Sequence, residues 1–247
     1  LNSVKKLARE RSKAVSIRVP QLKDCKNHYD HIKEKHTDTQ IFITEGQSAA
    51  GSLVSCRDAN NQAIFTLKGK PLNVCDLNRD ALYKNVEIYN LMQALQIEDS
   101  IETLRYNHVV LATDADVDGL HIRNLMITFF LRFFEPLVLN EHLKILETPL
   151  YRVRNKKETI YCYDDSERVE AIDKLGEKAE ITRFKGLGEI SPGEFKNFIT
   201  PENIRLTPVT IDGNHTPSEI INFYMGKNTP DRREYIMNHL VVDAEIL

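Results

Sequence analysis

The sequence predicts an α/β protein built on a doubly wound parallel sheet, with a smaller α+β tail domain appended beyond residue 150. Three observations predict it. Short apolar runs alternate with helical stretches through the first 150 residues. Those runs are apolar at consecutive positions, the mark of strands covered on both faces. Past Pro149 the alternation gives way to a hairpin pattern and irregular segments. A chain of 247 residues has room for one main core and a smaller appendage.

Residues 1–37 are read as a connector. From Leu1 to Arg18 it carries six basic residues, Lys5, Lys6, Arg9, Arg11, Lys13 and Arg18, against the single acid Glu10. That balance fits either a solvated helix face or a phosphate-facing arm. The first strand, Ile41-Phe42-Ile43, runs into E-G-Q-S-A-A-G-S, where Gly46 and Ser48 suit a tight turn and a helix start. The second, from Ala63 to Leu67, closes on K-G-K-P-L-N and is followed by a helical stretch over 86–95. The third, His108-Val109-Val110-Leu111-Ala112, runs into T-D-A-D-V-D-G-L-H-I-R, with an apolar helix over about 122–134 behind it. Leu143-Lys144-Ile145-Leu146 completes the series at 38–150. In the tail, 151–247, Tyr151-Arg152-Val153 and Ile160-Tyr161-Cys162-Tyr163 flank a polar turn and predict a hairpin. R-F-K-G-L-G-E, residues 183–189, is the tail's glycine-rich loop.

Composition narrows the class. With 41% apolar and 28% charged residues the chain reads as globular, and its apolar run over 125–139 is broken by Arg132, Glu135 and Pro136, so it reads as a buried helix and not a membrane span. Cys25, Cys56, Cys75 and Cys162 form no C-x-x-C pair, which points to reduced thiols rather than a disulfide frame or zinc site. The chain opens in a charged segment without methionine, so a longer protein is expected around it.

Sheets of this kind bind ligands off the carboxyl ends of their strands. Glu45, Asp114, Asp116 and Asp118 all stand there. Three alternating carboxylates would repel one another unless they share a cation, and hard oxygen donors suit a divalent one. D-x-D-x-D-G also opens an EF-hand loop, but position twelve counted from Asp114 is Leu125, where that loop requires glutamate. Asp114 as a simple helix cap is the structural alternative. A phosphoryl-accepting aspartate also suits a strand end, yet it would have no need of Glu45.

A glutamate and a D-x-D pair at the ends of two such strands resemble the Toprim domain. E-G-Q-S-A-A-G-S, T-L-K-G-K-P-L-N, L-R-Y, T-D-A-D-V-D-G-L-H-I-R, T-P-L-Y-R-V and R-F-K-G-L-G-E stand here in the order found in the B-type subunits of type IIA DNA topoisomerases, gyrase and topoisomerase IV. R-V-P-Q-L-K-D-C resembles that family's connector from its ATPase transducer, and Y-M-G-K-N-T-P-D-R-R-E-Y-I its closing helix. The resemblance implies a magnesium-dependent half-site for DNA cleavage and religation, with manganese as a substitute and ATP bound only in an N-terminal region outside this segment. The implied partners are double-stranded DNA and an A-type subunit carrying the attacking tyrosine, in a heterotetramer. The implied location is cytoplasmic and nucleoid-associated, with no membrane.

By the same carry-over, Glu45 and Asp114 would hold the ion at the scissile phosphate, and Asp116 and Asp118 a second. Glu45 would double as general acid or base. Lys68 and Lys70 around Gly69, and Lys185 beside Gly186 and Gly188, would grip phosphates, with Arg57 and Arg123 as further cations. His121 either polarises a phosphate oxygen or occupies the first turn of its helix. Arg105-Tyr106 leads into a strand and reads as packing. The family's E-G-D-S-A-G-G appears here with Gln47 and Ala50, a departure that leans toward the topoisomerase IV branch. The rival readings are a Toprim nuclease or primase and a non-catalytic DNA-docking module.

Overall fold

A computed structural model describes residues 19–29, 36–98, 100–176, 178–211 and 213–240. The basic arm of residues 1–18 lies outside them. Six strands form the main sheet: β1 (Leu22–Lys23), β2 (Gln40–Thr44), β3 (Gln62–Thr66), β4 (His108–Ala112), β5 (Leu143–Glu147) and β9 (Arg205–Pro208), in the spatial order β1-β3-β2-β4-β5-β9. The four central strands are parallel, and the two edges run antiparallel to them. After β2 the chain adds β3 on one side and then crosses to place β4 on the other, so β2 and β4 meet where the winding reverses. Ligands of open α/β sheets gather at that point.

Why the strands form is plain from burial. Ile41, Phe42, Ile43, Val109, Val110 and Leu111 are fully buried, and pleating sends alternate residues to opposite faces. One face carries Ile41, Ile43, Phe65, Val109 and Leu111 against α2 (Arg79–Lys84), α3 (Val86–Leu95) and α4 (Val117–Phe133). The other carries Phe42, Ile64, Val110 and Ala112 against Ala49, Ala50 and Leu53 of α1 (Gln47–Cys56).

The apolar stretch over 125–139 makes two helices instead of one. Helix α4 stops at Phe133 and α5 covers Glu135–Leu139, because Pro136 has no N–H to continue the first helix and its ring would crowd the carbonyl of Arg132 one turn back; Phe134 between them sits at φ −140°. Helix α4 also begins five residues earlier than its apolar pattern predicts, with the Asp116 carboxylate accepting from the N–H of Gly119 at 2.8 Å.

Residues beyond 150 divide between two cores. Strands β6 (Tyr151–Arg154), β7 (Thr159–Cys162) and β8 (Glu180–Arg183) form a second, antiparallel sheet with α6 (Asp165–Leu175) over Val153, Cys162 and Ala171. Phe184, Leu187, Ile190, Phe195, Phe198 and Ile199 instead pack on the α1 face of the main sheet, along with α7 (Pro192–Phe195), and β9 joins its edge. The closing segment is interrupted as well: α8 (Pro217–Met225) ends before Gly226, and Arg232 of α9 (Thr229–His239) donates to the carbonyls of Tyr224 and Gly226 at 2.8 Å each. These are the orphan acceptors that a helix end leaves open.

Candidate metal and nucleic-acid site

The parallel register sets the site. Thr44 stands beside Ala112, so Glu45 and Asp114 emerge from adjoining strands about 4.8 Å apart. They meet in a cleft of about 360 Å³ lined also by Gly46, Ser48, Asp116, Lys185, Gly186, Gly188 and Glu189. The acidic turn and the K-G-L-G-E loop therefore face one another. Asp116, not Asp114, caps α4, and that cap engages its Oδ1. Asp114 accepts from the N–H of Leu187 through Oδ1 at 2.7 Å. Each aspartate thus keeps one oxygen free of these bonds, while Oε2 of Glu45 is buried with no hydrogen-bond partner among the described residues.

The glycine behind the aspartates has a steric cause. A Cβ on Gly119 would overlap the carbonyl oxygen of Asp114, so the chain can fold back on itself only where no side chain intervenes.

Glu45 carries the strongest electrostatic signature. Burial pushes its carboxyl up to about 7, and the hydrogen bonding and charge of Asp114 add to this, with a smaller push from Asp116; a backbone hydrogen bond from Asp114 opposes them. Because the folded state holds this proton more tightly than the unfolded chain does, its stabilising contribution is full at low pH. It is lost as pH rises from about 4.5 to about 7. The thermal midpoint in chelator is expected to fall over that window more steeply for the wild type than for Glu45→Gln. A divalent cation held by these oxygens would stabilise more at pH 8 than at pH 5.5, since it would compete with the proton. Parallel pH curves for the two proteins would refute the assignment.

The other candidates are scattered. Asp118 does not line the cleft: its Oδ1 stands 2.7 Å from Lys70 Nζ, so these two charges face each other on an exposed surface. Gly69 between the lysines has φ +114°, a conformation that favours glycine. Lys68 borders a neighbouring groove of about 700 Å³ with Gly46, Gln47 and Leu67, on the far side of the Glu45 turn. Its N–H donates to Glu87 at 2.6 Å. His121 is exposed on α4, beside Asp118, and Arg123 is turned back, donating to Thr113 at 3.3 Å.

Arg57 is not part of the site. It stands at the amino end of β3, where its guanidinium donates to the carbonyls of Gln62 and Asp24 and ties the connector down. Tyr106 is fully buried and donates to Asp24 at 2.6 Å, and burial with that bond holds its hydroxyl far above the usual range. It is packing, as its sequence context predicts. Sequence reasoning passed over Ser48 as a wall of the cleft and the Leu187 N–H as a partner of Asp114. The first carried a signal, being inside E-G-Q-S; a backbone N–H carries none.

Residues 40–148 match the Toprim domain family, and residues 176–237 match the carboxyl terminus of the DNA gyrase B subunit. Over 98% of its length the chain is 58% identical to the DNA topoisomerase 4 B subunit of Borreliella burgdorferi, of which it spans 40%. The chain belongs to the B-subunit family of type II DNA topoisomerases. Another member of that B-subunit family, from the DNA gyrase of Thermotoga maritima, is 37% identical over 92% of the chain, which spans 36% of that relative. The chain thus spans about two fifths of the B subunits it matches. The crystal structure of the Plasmodium falciparum topoisomerase II DNA-binding, cleavage and re-ligation domain superposes with a TM-score of 0.74, covering 92% of this chain and 33% of that one. At 24% identity this likeness speaks for the fold. Among the described residues, no helix of this B-subunit family member is long and apolar enough to cross a membrane.

Proposed function

We propose that this chain supplies the metal-dependent half of a DNA cleavage and religation site, acting with a tyrosine-bearing A-type subunit. The observation that carries the reading is the convergence of Glu45, Asp114 and Asp116 in one cleft, with Lys185 on its opposite wall. The donor set fits a small hard cation, since it offers carboxylate oxygens, among them a buried Glu45 Oε2 with no hydrogen-bond partner among the described residues. Glu45, Asp114 and Asp116 would hold magnesium, with manganese as a substitute. When bound, the ion supplies charge stabilisation at the scissile phosphate and the leaving oxygen.

The chain's own residues do the rest. Glu45, with its carboxyl near 7, is poised to hold or release a proton at the ribose oxygen close to neutral pH. Lys185 and Lys68 flank the acidic turn from two sides and would neutralise successive backbone phosphates. Tyr106, buried and bonded to Asp24, offers no nucleophile, and in this reading the attacking tyrosine is the partner's.

The test is reconstitution of the complete B-type subunit with a relative's A-type subunit on plasmid DNA. Magnesium should produce double-strand breaks with DNA attached covalently to the A-type chain, and chelator should prevent them. An adduct on the B-type chain would overturn the division of labour. Lys68→Ala and Lys185→Ala should each flatten the slope of log affinity against log salt by roughly one unit, alike on unrelated duplexes. Unchanged slopes would remove both lysines from the DNA path.

A further inference from the structure

The glycines of K-G-L-G-E read from sequence as places where main chain approaches phosphate. Their surroundings point elsewhere. A Cβ on Gly186 would stand 2.5 Å from Oδ2 and 2.8 Å from Cγ of Asp114, and a Cβ on Gly188 would stand 2.9 Å from Ser48 Oγ. Gly186 has φ −149°, extended backbone open to any residue, so it is space and not conformation that demands glycine. Between the two, the N–H of Leu187 holds Asp114 Oδ1 at 2.7 Å. The Leu187 side chain is 2% exposed and locked into the core with Phe42 and Leu53. The loop's own curve is fixed by the Lys185 N–H, which donates to Glu189 at 2.8 Å.

We propose that the K-G-L-G-E loop is a positioning element for the acidic site. The N–H of Leu187 commits Asp114 Oδ1 to the protein, and the bare α-carbon of Gly186 leaves Oδ2 the space to serve a ligand in the cleft. This rests on the reading of that cleft as a divalent-cation site. The loop touches no cation itself; it acts as outer partners of metal ligands do, whose loss commonly weakens binding 10–100-fold.

The test is manganese binding to the complete B-type subunit, followed by electron paramagnetic resonance of the free ion, for the wild type, Gly186→Ala, Gly193→Ala and Asp114→Asn. Gly193 lies in the same tail with open space where a Cβ would go. Gly186→Ala should bind manganese about 10-fold more weakly or worse, and Gly193→Ala as the wild type does. Wild-type affinity in Gly186→Ala, with affinity lost in Asp114→Asn, overturns the positioning role and spares the cation site. Retained affinity in Asp114→Asn removes the cation site itself. An equal loss in Gly193→Ala would also overturn the proposal, because any disturbance of the tail would then suffice. Should Gly186→Ala not fold, hydrogen exchange decides: the Leu187 amide should lose protection in Asp114→Ala while the amide of Leu53 does not. Unchanged protection at Leu187 overturns the clamp.

Discussion

Asp114→Ala is expected to lower DNA cleavage by the reconstituted enzyme on the order of 10³-fold, while moving the thermal midpoint by only a few degrees. Two opposed changes keep the fold intact. Removing the carboxylate strands the N–H of Leu187, at a cost of roughly 1–3 kcal/mol. It also removes the neighbouring charge that helps push the Glu45 carboxyl up to about 7, which relieves the folded state. Asp114→Asn separates the two, because it keeps an acceptor for Leu187 and loses the charge. It should be at least as stable as the wild type in chelator and equally inactive. Glu45→Gln should match it in cleavage. Asp116→Ala should be milder in cleavage and cost about 1 kcal/mol for the lost cap of α4. Plasmid linearisation in magnesium beside calorimetry measures both quantities, and wild-type cleavage by Asp114→Ala would leave this chain only a docking role.

Gly119→Ala should behave against the usual rule for helices. In an open helix the change gains about 1 kcal/mol. Here the new Cβ would meet the Asp114 carbonyl oxygen, a backbone atom that no rotamer change can move aside. The expected result is a loss of roughly 2–3 kcal/mol, seen as a midpoint lowered by roughly 5–10 °C, with cleavage lost because the Asp114 turn is displaced. The smaller Gly51→Ala, also helical but in open space, should stabilise. A Gly119→Ala protein as stable as the wild type would show that the turn yields easily, and the steric account of the D-G pair would fall.

Strands β2, β3 and β4 were legible because they are buried on both faces, so that Ile41-Phe42-Ile43 and Val109 to Ala112 read as unbroken apolar runs. Glu45 and Asp114 followed from them, since the end of a strand is a position that can be counted to along the chain. What stayed hidden depends on partners distant in sequence. Arg57 reads as a free cation until the carbonyl of Asp24, 33 positions away, is seen to hold it. Asp118 reads as one more ligand until Lys70 is found beside it. Gly186 looks like a phosphate loop because sequence shows that a side chain is missing but not what fills its place.

The tail's return to the main sheet has a consequence for how the protein is made. Phe42, Ile64 and Val110 are covered on one side by Phe184, Phe195 and Phe198, and β5 gains its outer neighbour only at β9. During synthesis, about 60 residues must follow the last parallel strand before that cover exists, an interval of roughly 3–12 s at cellular elongation rates. For those seconds a nascent chain with four paired strands would present an open aromatic and aliphatic face and an unpaired sheet edge, the two features most prone to association between chains. The K-G-L-G-E loop is synthesised within that same interval, so until it docks the Asp114 carboxylate stands without the Leu187 N–H that it accepts from in the folded chain.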